Sequence, residues 1–372
     1  MEILDSLVIG AGQAGLSASY HLARRDLSHV VLDADAAPGG AWQHRWDSLT
    51  MRDVHGVAEL PDADRLALSD EPANLAVPAY FATYEQHHDL PVVRPVSVDR
   101  VVSTDGRQGL LVTAAGERTW TSRTIVNATG TWSHPYVPYY PGMRSFRGEQ
   151  FHTHDYPGAD YLRGKRVLVV GGGASAVQFL GELAPITEVV WVTRRPPIWR
   201  TDEFTPEAGS AAVALVEDRV RRGLPPQSVV SVTGLILRPQ EEAARRLGVY
   251  DRRLPMFTTV EPDGVRWADS TESGTAFEPV DVIVWATGFR PAIAHLTPLR
   301  LRGPEGGIQL DRHGTTAVID PRVQLVGYGP SASTIGANRA GRAAARGVAS
   351  WLAAHPLAGT ARLSEPEGEA VG

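Results

Sequence analysis

Residues 3–9 form an apolar run that opens into a glycine turn, LVIGAGQAG at 7–15, and the same arrangement returns as VLVVGGGASA at 167–176. Small residues take the same three places in each copy: Gly10, Gly12 and Gly15, then Gly171, Gly173 and Ala176. Each copy is followed at nearly equal distance by Ala-Thr-Gly, at 128–130 and 286–288. A strand that turns through such glycines into a helix gathers unpaired N–H groups and the positive end of the helix dipole at one point, which suits a pyrophosphate. The doubled signature therefore predicts an α/β chain with two Rossmann-like dinucleotide-binding domains, the second inserted into the first.

The two copies differ at the strand that follows. In the first, residues 29–32 lead to Asp33, placed to accept hydrogen bonds from ribose hydroxyls, as an unphosphorylated ribose requires. In the second, residues 188–193 lead to Arg194 and Arg195, whose guanidinium groups suit a 2′-phosphate. The first site thus reads as FAD and the second as NADPH. The expected cofactor-binding set is Gly10, Gly12, Gln13, Ala14, Gly15, Asp33, Thr129 and Gly130 on one side. On the other it is Gly171, Gly173, Ala174, Ser175, Ala176, Arg194, Arg195, Ala286, Thr287 and Gly288.

Composition narrows what the electrons can do. The 372 residues contain no cysteine, which removes disulfides, thiolate metal sites and a dithiol relay. Electrons must leave the cofactors for a small molecule. A net charge of −6 without a long basic block argues against nucleic acid. No apolar run approaches the roughly 18 residues of a membrane span. With the first strand starting almost at Met1, the expected location is the cytoplasm. The histidine pairs His87-His88 and His152/His154 sit in no fuller ligand set, and no metal site is predicted. Oligomeric state is not legible.

The expected organisation is a first part of the FAD domain at 1–160, the NADPH domain at 161–288, a return segment of the FAD domain at 289–363 and a disordered acidic tail at 364–372. Residues 92–126 alternate with turn signals and predict a small β-meander. Helices are expected around 78–88, 210–222 and 337–354; residues 200–260 otherwise carry no clear pattern.

Residues 146–156, FRGEQFHTHDY, match FxGxxxHxxxY just ahead of the second loop. This segment resembles the fingerprint of the class B flavin-dependent monooxygenases. PGGAW at 38–42 is similar to that family's flavin-contacting segment, which places Gly40 and Trp42 near the isoalloxazine. ATGTWSHPYVP at 128–138, ATGFRP at 286–291 and GYGPSAST at 327–334 continue the resemblance in the family's order.

The resemblance implies that NADPH reduces FAD, and that reduced flavin and O2 form a C4a-hydroperoxide that oxygenates a small organic substrate. N- or S-oxidation, Baeyer–Villiger insertion and decarboxylative oxidation stay open, because Tyr156-Pro157 falls between the family's branches. An NADPH-dependent flavoprotein reductase with a diffusible acceptor is the alternative. The Baeyer–Villiger branch places an arginine beside the flavin, for which Arg253 in YDRRLPMF is the candidate. His152 reads as a hinge anchor rather than a catalytic base. Arg339 and Arg342, one turn apart, face a nucleotide, an acidic substrate or solvent.

Overall fold

The computed structural model describes residues 3–54, 57–105, 109–200, 215–226, 234–235, 237–271, 274–332 and 334–357. Its first layer is a seven-stranded sheet. β1 (Ile3–Ile9) is central and runs parallel to β2 (His29–Leu32), with helix α1 (Gln13–Ala23) crossing between them. Helix α2 (Ala73–His87) leads to the short β3 (Val92–Val93), which extends the sheet beyond β2. β4 (Arg100–Ser103), β5 (Leu111–Ala115) and β6 (Arg118–Asn127) form the expected antiparallel meander. β6 is long enough to do two jobs, pairing with β5 at its start and with β1 in parallel at its end.

The second layer is a four-stranded, all-parallel sheet of β7 (Glu149–His152), β8 (Arg166–Val170), β9 (Glu188–Val192) and β13 (Val282–Trp285), in the order β7-β13-β8-β9. Helix α3 (Ala174–Leu183) joins β8 to β9, and residues 215–221 form helix α4. The short helix α5 (Glu242–Arg246) packs on α3. A three-stranded antiparallel sheet, β10 (Thr259–Glu261), β11 (Gly264–Arg266) and β12 (Phe277–Pro279), interrupts the chain before β13. β14 (Val323–Leu325) then returns to the first sheet beside β6, and helix α6 (Thr334–Ala354) closes the fold against α1. The second dinucleotide unit is thus inserted into the first.

The α1–α6 contact explains why α6 is rich in small residues. A Cβ added to Gly341 would lie 2.5 Å from Ser17 Oγ and 2.8 Å from Ala18 N. Ala340, Ala344 and Ala345 are buried along the same contact. Close backbone approach requires side chains of that size.

Three expectations differ from the structure in detail. β7 falls within residues assigned to the first unit, yet pairs with β13 throughout its length. α2 starts five residues ahead of the expected Pro78, which instead lies inside the helix. Its ring faces Gly39, where an added Cβ would come within 2.7 Å of Pro78 Cγ, so packing on the glycine turn outweighs the lost helical hydrogen bond. The β10–β12 sheet has no counterpart in the sequence reading. The tail at 364–372 and residues 201–214 lie outside the described residues. No helix among the described residues is long and apolar enough to cross a membrane.

Candidate functional site

The two glycine loops are built alike. Gly10 has φ +100° and Gly171 φ +141°, backbone settings that favour glycine. A Cβ at Gly10 would meet the carbonyl oxygen of Ala128 at 2.6 Å, and one at Gly171 that of Ala286 at 2.2 Å. Each Ala-Thr-Gly segment therefore crosses directly beneath its glycine loop. Gly12 and Gly173 cap α1 and α3 without any side-chain hydrogen bond, and a Cβ on either would meet nothing within 4 Å. Two bare helix N-termini with clear space ahead of them fit two pyrophosphates. Ala14, Gly15 and Ala176 are buried behind the turns, while Ala174 and Ser175 open α3. Gln13 turns its amide away, donating to Ala58 O at 2.7 Å and Asn338 Oδ1 at 3.3 Å, which leaves its backbone for the loop.

Asp33 lies at the end of β2 and is buried. One carboxylate oxygen accepts from Arg94 Nε at 3.2 Å, and Arg94 makes two further bonds to Glu85, at 2.7 and 2.6 Å. Burial pushes the Asp33 carboxyl above its usual range, with Arg94 opposing the shift. Arg194 and Arg195, just beyond β9, are exposed and make no ion pair with a described residue. Arg253 lies beside them: its Nη1 donates to Thr193 O, Thr193 Oγ1 and Leu254 O at 3.2–3.3 Å. The structure sets Arg253 at the end of β9, against Thr193 and Leu254.

His152 closes β7. Its Nδ1 accepts from His154 N–H at 3.1 Å, which makes Nε2 the protonated nitrogen, and Nε2–H donates to Gly288 O at 2.9 Å. Burial lowers its pKa and keeps the ring neutral. Thr287 Oγ1 donates to Tyr136 O, and Thr129 Oγ1 to Ala292 O at 2.6 Å, so the two Ala-Thr-Gly segments are laced to each other's flanks.

Between the two loops lies an aromatic junction. Trp132, two residues past Gly130, stacks on Phe289, the residue after Gly288, with ring centroids 4.9 Å apart, and on His154 at 5.2 Å. The Gly40–Trp42 turn approaches from the first unit: a Cβ on Gly40 would lie 2.9 Å from Gly12 Cα. The Arg45 guanidinium sits 4.4 Å from the Trp132 ring and 5.6 Å from Trp42. A buried carboxylate ties the units together nearby. Glu182 on α3 accepts from Trp46 Nε1 and Ser48 Oγ, each at 3.0 Å, and from Tyr156 OH at 3.3 Å.

A family model described as pyridine nucleotide-disulphide oxidoreductase matches residues 7–320. The flavin monooxygenase of Stenotrophomonas maltophilia, solved in two forms, is 36–37% identical, with a TM-score of 0.79 over 94% of this chain and 99% of that one. The chain belongs to this oxidoreductase family, in its flavin monooxygenase branch. Among curated relatives, an uncharacterized oxidoreductase CzcO of Bacillus velezensis is 26% identical over 54% of this chain and 61% of its own length. A Baeyer-Villiger monooxygenase of Streptomyces coelicolor is 30% identical over 58% of this chain and 44% of its own. The chain thus spans about half of the curated relatives it matches.

The family is named for disulphide chemistry, yet this chain has no cysteine to carry it. Sequence reasoning missed Arg45, Arg94, Trp132, Phe289 and Glu182. Trp132 and Phe289 had a usable signal, since one stands two residues past an Ala-Thr-Gly and the other directly follows one. The others derive their setting from contacts distant in sequence. Arg339 and Arg342 line a cleft of about 1580 Å³ with residues 57–65 and the end of α2. Among the described residues no cluster of three His, Asp or Glu could hold a metal.

Proposed function

We propose that this protein is an NADPH- and FAD-dependent monooxygenase acting on a small organic substrate with O2. The observation that carries the reading is the inequality of two otherwise equivalent loops. A buried carboxylate, Asp33, ends the strand after one, and exposed Arg194 and Arg195, which make no ion pair with a described residue, end the strand after the other. The first selects ribose hydroxyls, hence FAD; the second selects a 2′-phosphate, hence NADPH. Bound flavin would accept a hydride from NADPH and, once reduced, pass electrons to O2.

The chain's own residues bind, orient and shield. The α1 and α3 N-termini would hold the two pyrophosphates, with the Trp132–Phe289 stack between the two loops. His152, neutral and doubly hydrogen-bonded, anchors Gly288 and moves no proton. The stack of Trp132, Phe289 and His154 would shield the inner ends of the bound nucleotides from water. In the balanced reaction NADPH and a proton supply two electrons, one oxygen atom enters the substrate, and the other leaves as water.

The test is single turnover of the purified flavoprotein with NADPH, a thioether and isotopically labelled dioxygen. One labelled atom in the sulfoxide supports the monooxygenase. Label recovered only in hydrogen peroxide or water supports the alternative, a reductase with a diffusible acceptor.

A further inference from the structure

Arg45 is a cation without an anion. Its Nε is buried and has no hydrogen-bond partner, and its guanidinium makes no ion pair with any described residue. The carboxylates of the same stretch, and Glu182, which is bonded to the neighbouring Trp46, are held by other groups. Asp35 takes Gln43 Nε2 and His44 Nε2, each at 3.0 Å, and Asp47 takes Asn74 Nδ2 at 2.7 Å. Glu182 takes Trp46 and Ser48. Burial, with no carboxylate opposing it, pulls the Arg45 pKa down to about 10.

Among the described residues, its guanidinium lies against the faces of Trp132 and Trp42. Two cation–π contacts are worth up to about 2 kcal/mol each when desolvated, while removing a cation from water costs several. The structure therefore keeps a half-buried positive charge that the described residues only partly compensate, where the Trp42 turn meets Trp132. Such a charge marks a ligand site.

The cofactors' anionic groups already have places: one pyrophosphate at α1, the other at α3, and the 2′-phosphate at Arg194. The Arg45 charge calls for a further anion. We infer that Arg45 is the anchor for the carboxylate of the substrate, and that the protein oxygenates organic acids with a flat or aromatic body that packs against Trp132. This rests on the monooxygenase reading above. A planar guanidinium can hold a carboxylate in two parallel hydrogen bonds while lying on an indole face; an ammonium cannot do both.

The test uses para-(methylthio)benzoate and its methyl ester, which share the thioether and differ in charge. Binding to the FAD-loaded protein is followed by tryptophan fluorescence, because Trp42 and Trp132 flank the site. The acid is expected to bind at least about tenfold tighter than the ester. Arg45→Gln should reduce that ratio to near one with ester binding kept, and Arg45→Lys should restore only part of it. Equal binding of acid and ester by the unsubstituted protein overturns the proposal, whatever the variants do. So does an acid preference that survives Arg45→Gln. Acid-selective binding without sulfoxide formation would keep the anion site and reject the monooxygenase reading.

Discussion

His152 and Gly288 are joined by a 2.9 Å hydrogen bond that ties the end of the FxGxxxHxxxY segment to the second Ala-Thr-Gly turn. The bond spans the second sheet's edge, since β7 and β13 run side by side and end at His152 and at Trp285, just ahead of Gly288. A histidine in this position works as a strut. His152→Ala should destabilise the fold by about 1–3 kcal/mol, the usual loss when a buried partner is left unpaired. It should also slow flavin reduction by NADPH several-fold while FAD stays bound. A catalytic base would behave differently: the rate would fall by more than about a hundredfold, and one ionisation would vanish from its pH profile.

The two loops should fail separately. Gly10→Ala places a methyl 2.6 Å from Ala128 O, and Gly171→Ala places one 2.2 Å from Ala286 O. The first variant is expected to purify without FAD. The second should retain FAD and its visible spectrum but lose reduction by NADPH. Spectra taken before and after anaerobic NADPH addition check both.

Arg194→Ala should raise KM for NADPH by about tenfold or more and leave KM for NADH nearly unchanged, since only NADPH carries the 2′-phosphate. Arg253 holds the Thr193 carbonyl next door, so Arg253→Ala should weaken both nucleotides modestly. Steady-state kinetics with the two nucleotides separate a phosphate-reading arginine from a loop-bracing one. Equal effects of Arg194→Ala on NADPH and NADH would remove its assignment.

Stability should fall on acidification. Burial lowers His21 and His295 from the usual 6.5 to about 4, helped at His21 by Arg342, Arg25 and Arg346 and at His295 by His134. Between those values the unfolded chain binds more protons than the folded one. The stability supplied by the neutral rings is therefore complete above about pH 6.5 and lost as pH falls towards 4. Melting temperature should drop by several degrees from pH 7 to pH 5. His295→Gln should flatten that slope. Glu182 and Glu241, raised by burial, act in the opposite sense, so the comparison of variant with parent isolates the histidine.

What was legible in the sequence was local. A strand, a glycine turn and a helix adjoin in the chain, so both loops, Asp33 and Arg194 could be placed from spacing alone. β7 could not, because its four residues acquire a sheet only from β13, more than a hundred residues later. The same holds for Arg45. It stands three residues after Trp42 in an irregular stretch, and only the approach of Trp132 and the lack of an ion pair among the described residues make it unusual. Pro78 misled in a simpler way: proline favours the first helical turn, but here contact with Gly39 holds it in the helix interior. Arg253 was matched by resemblance alone; what spacing did not show is that its guanidinium braces Thr193 at the end of β9.

The central claim is that reduced flavin held between these two sites delivers oxygen to an organic molecule rather than electrons to a diffusible acceptor. Rapid mixing tests it most directly: the flavoprotein is reduced anaerobically with NADPH, then mixed with O2 while its absorption spectrum is followed. The account predicts reoxidation through a transient band distinct from both oxidised and reduced flavin, whose decay quickens when an oxidisable acid is present. A single featureless return to oxidised flavin, unaffected by any such acid and yielding one hydrogen peroxide per NADPH, would contradict it.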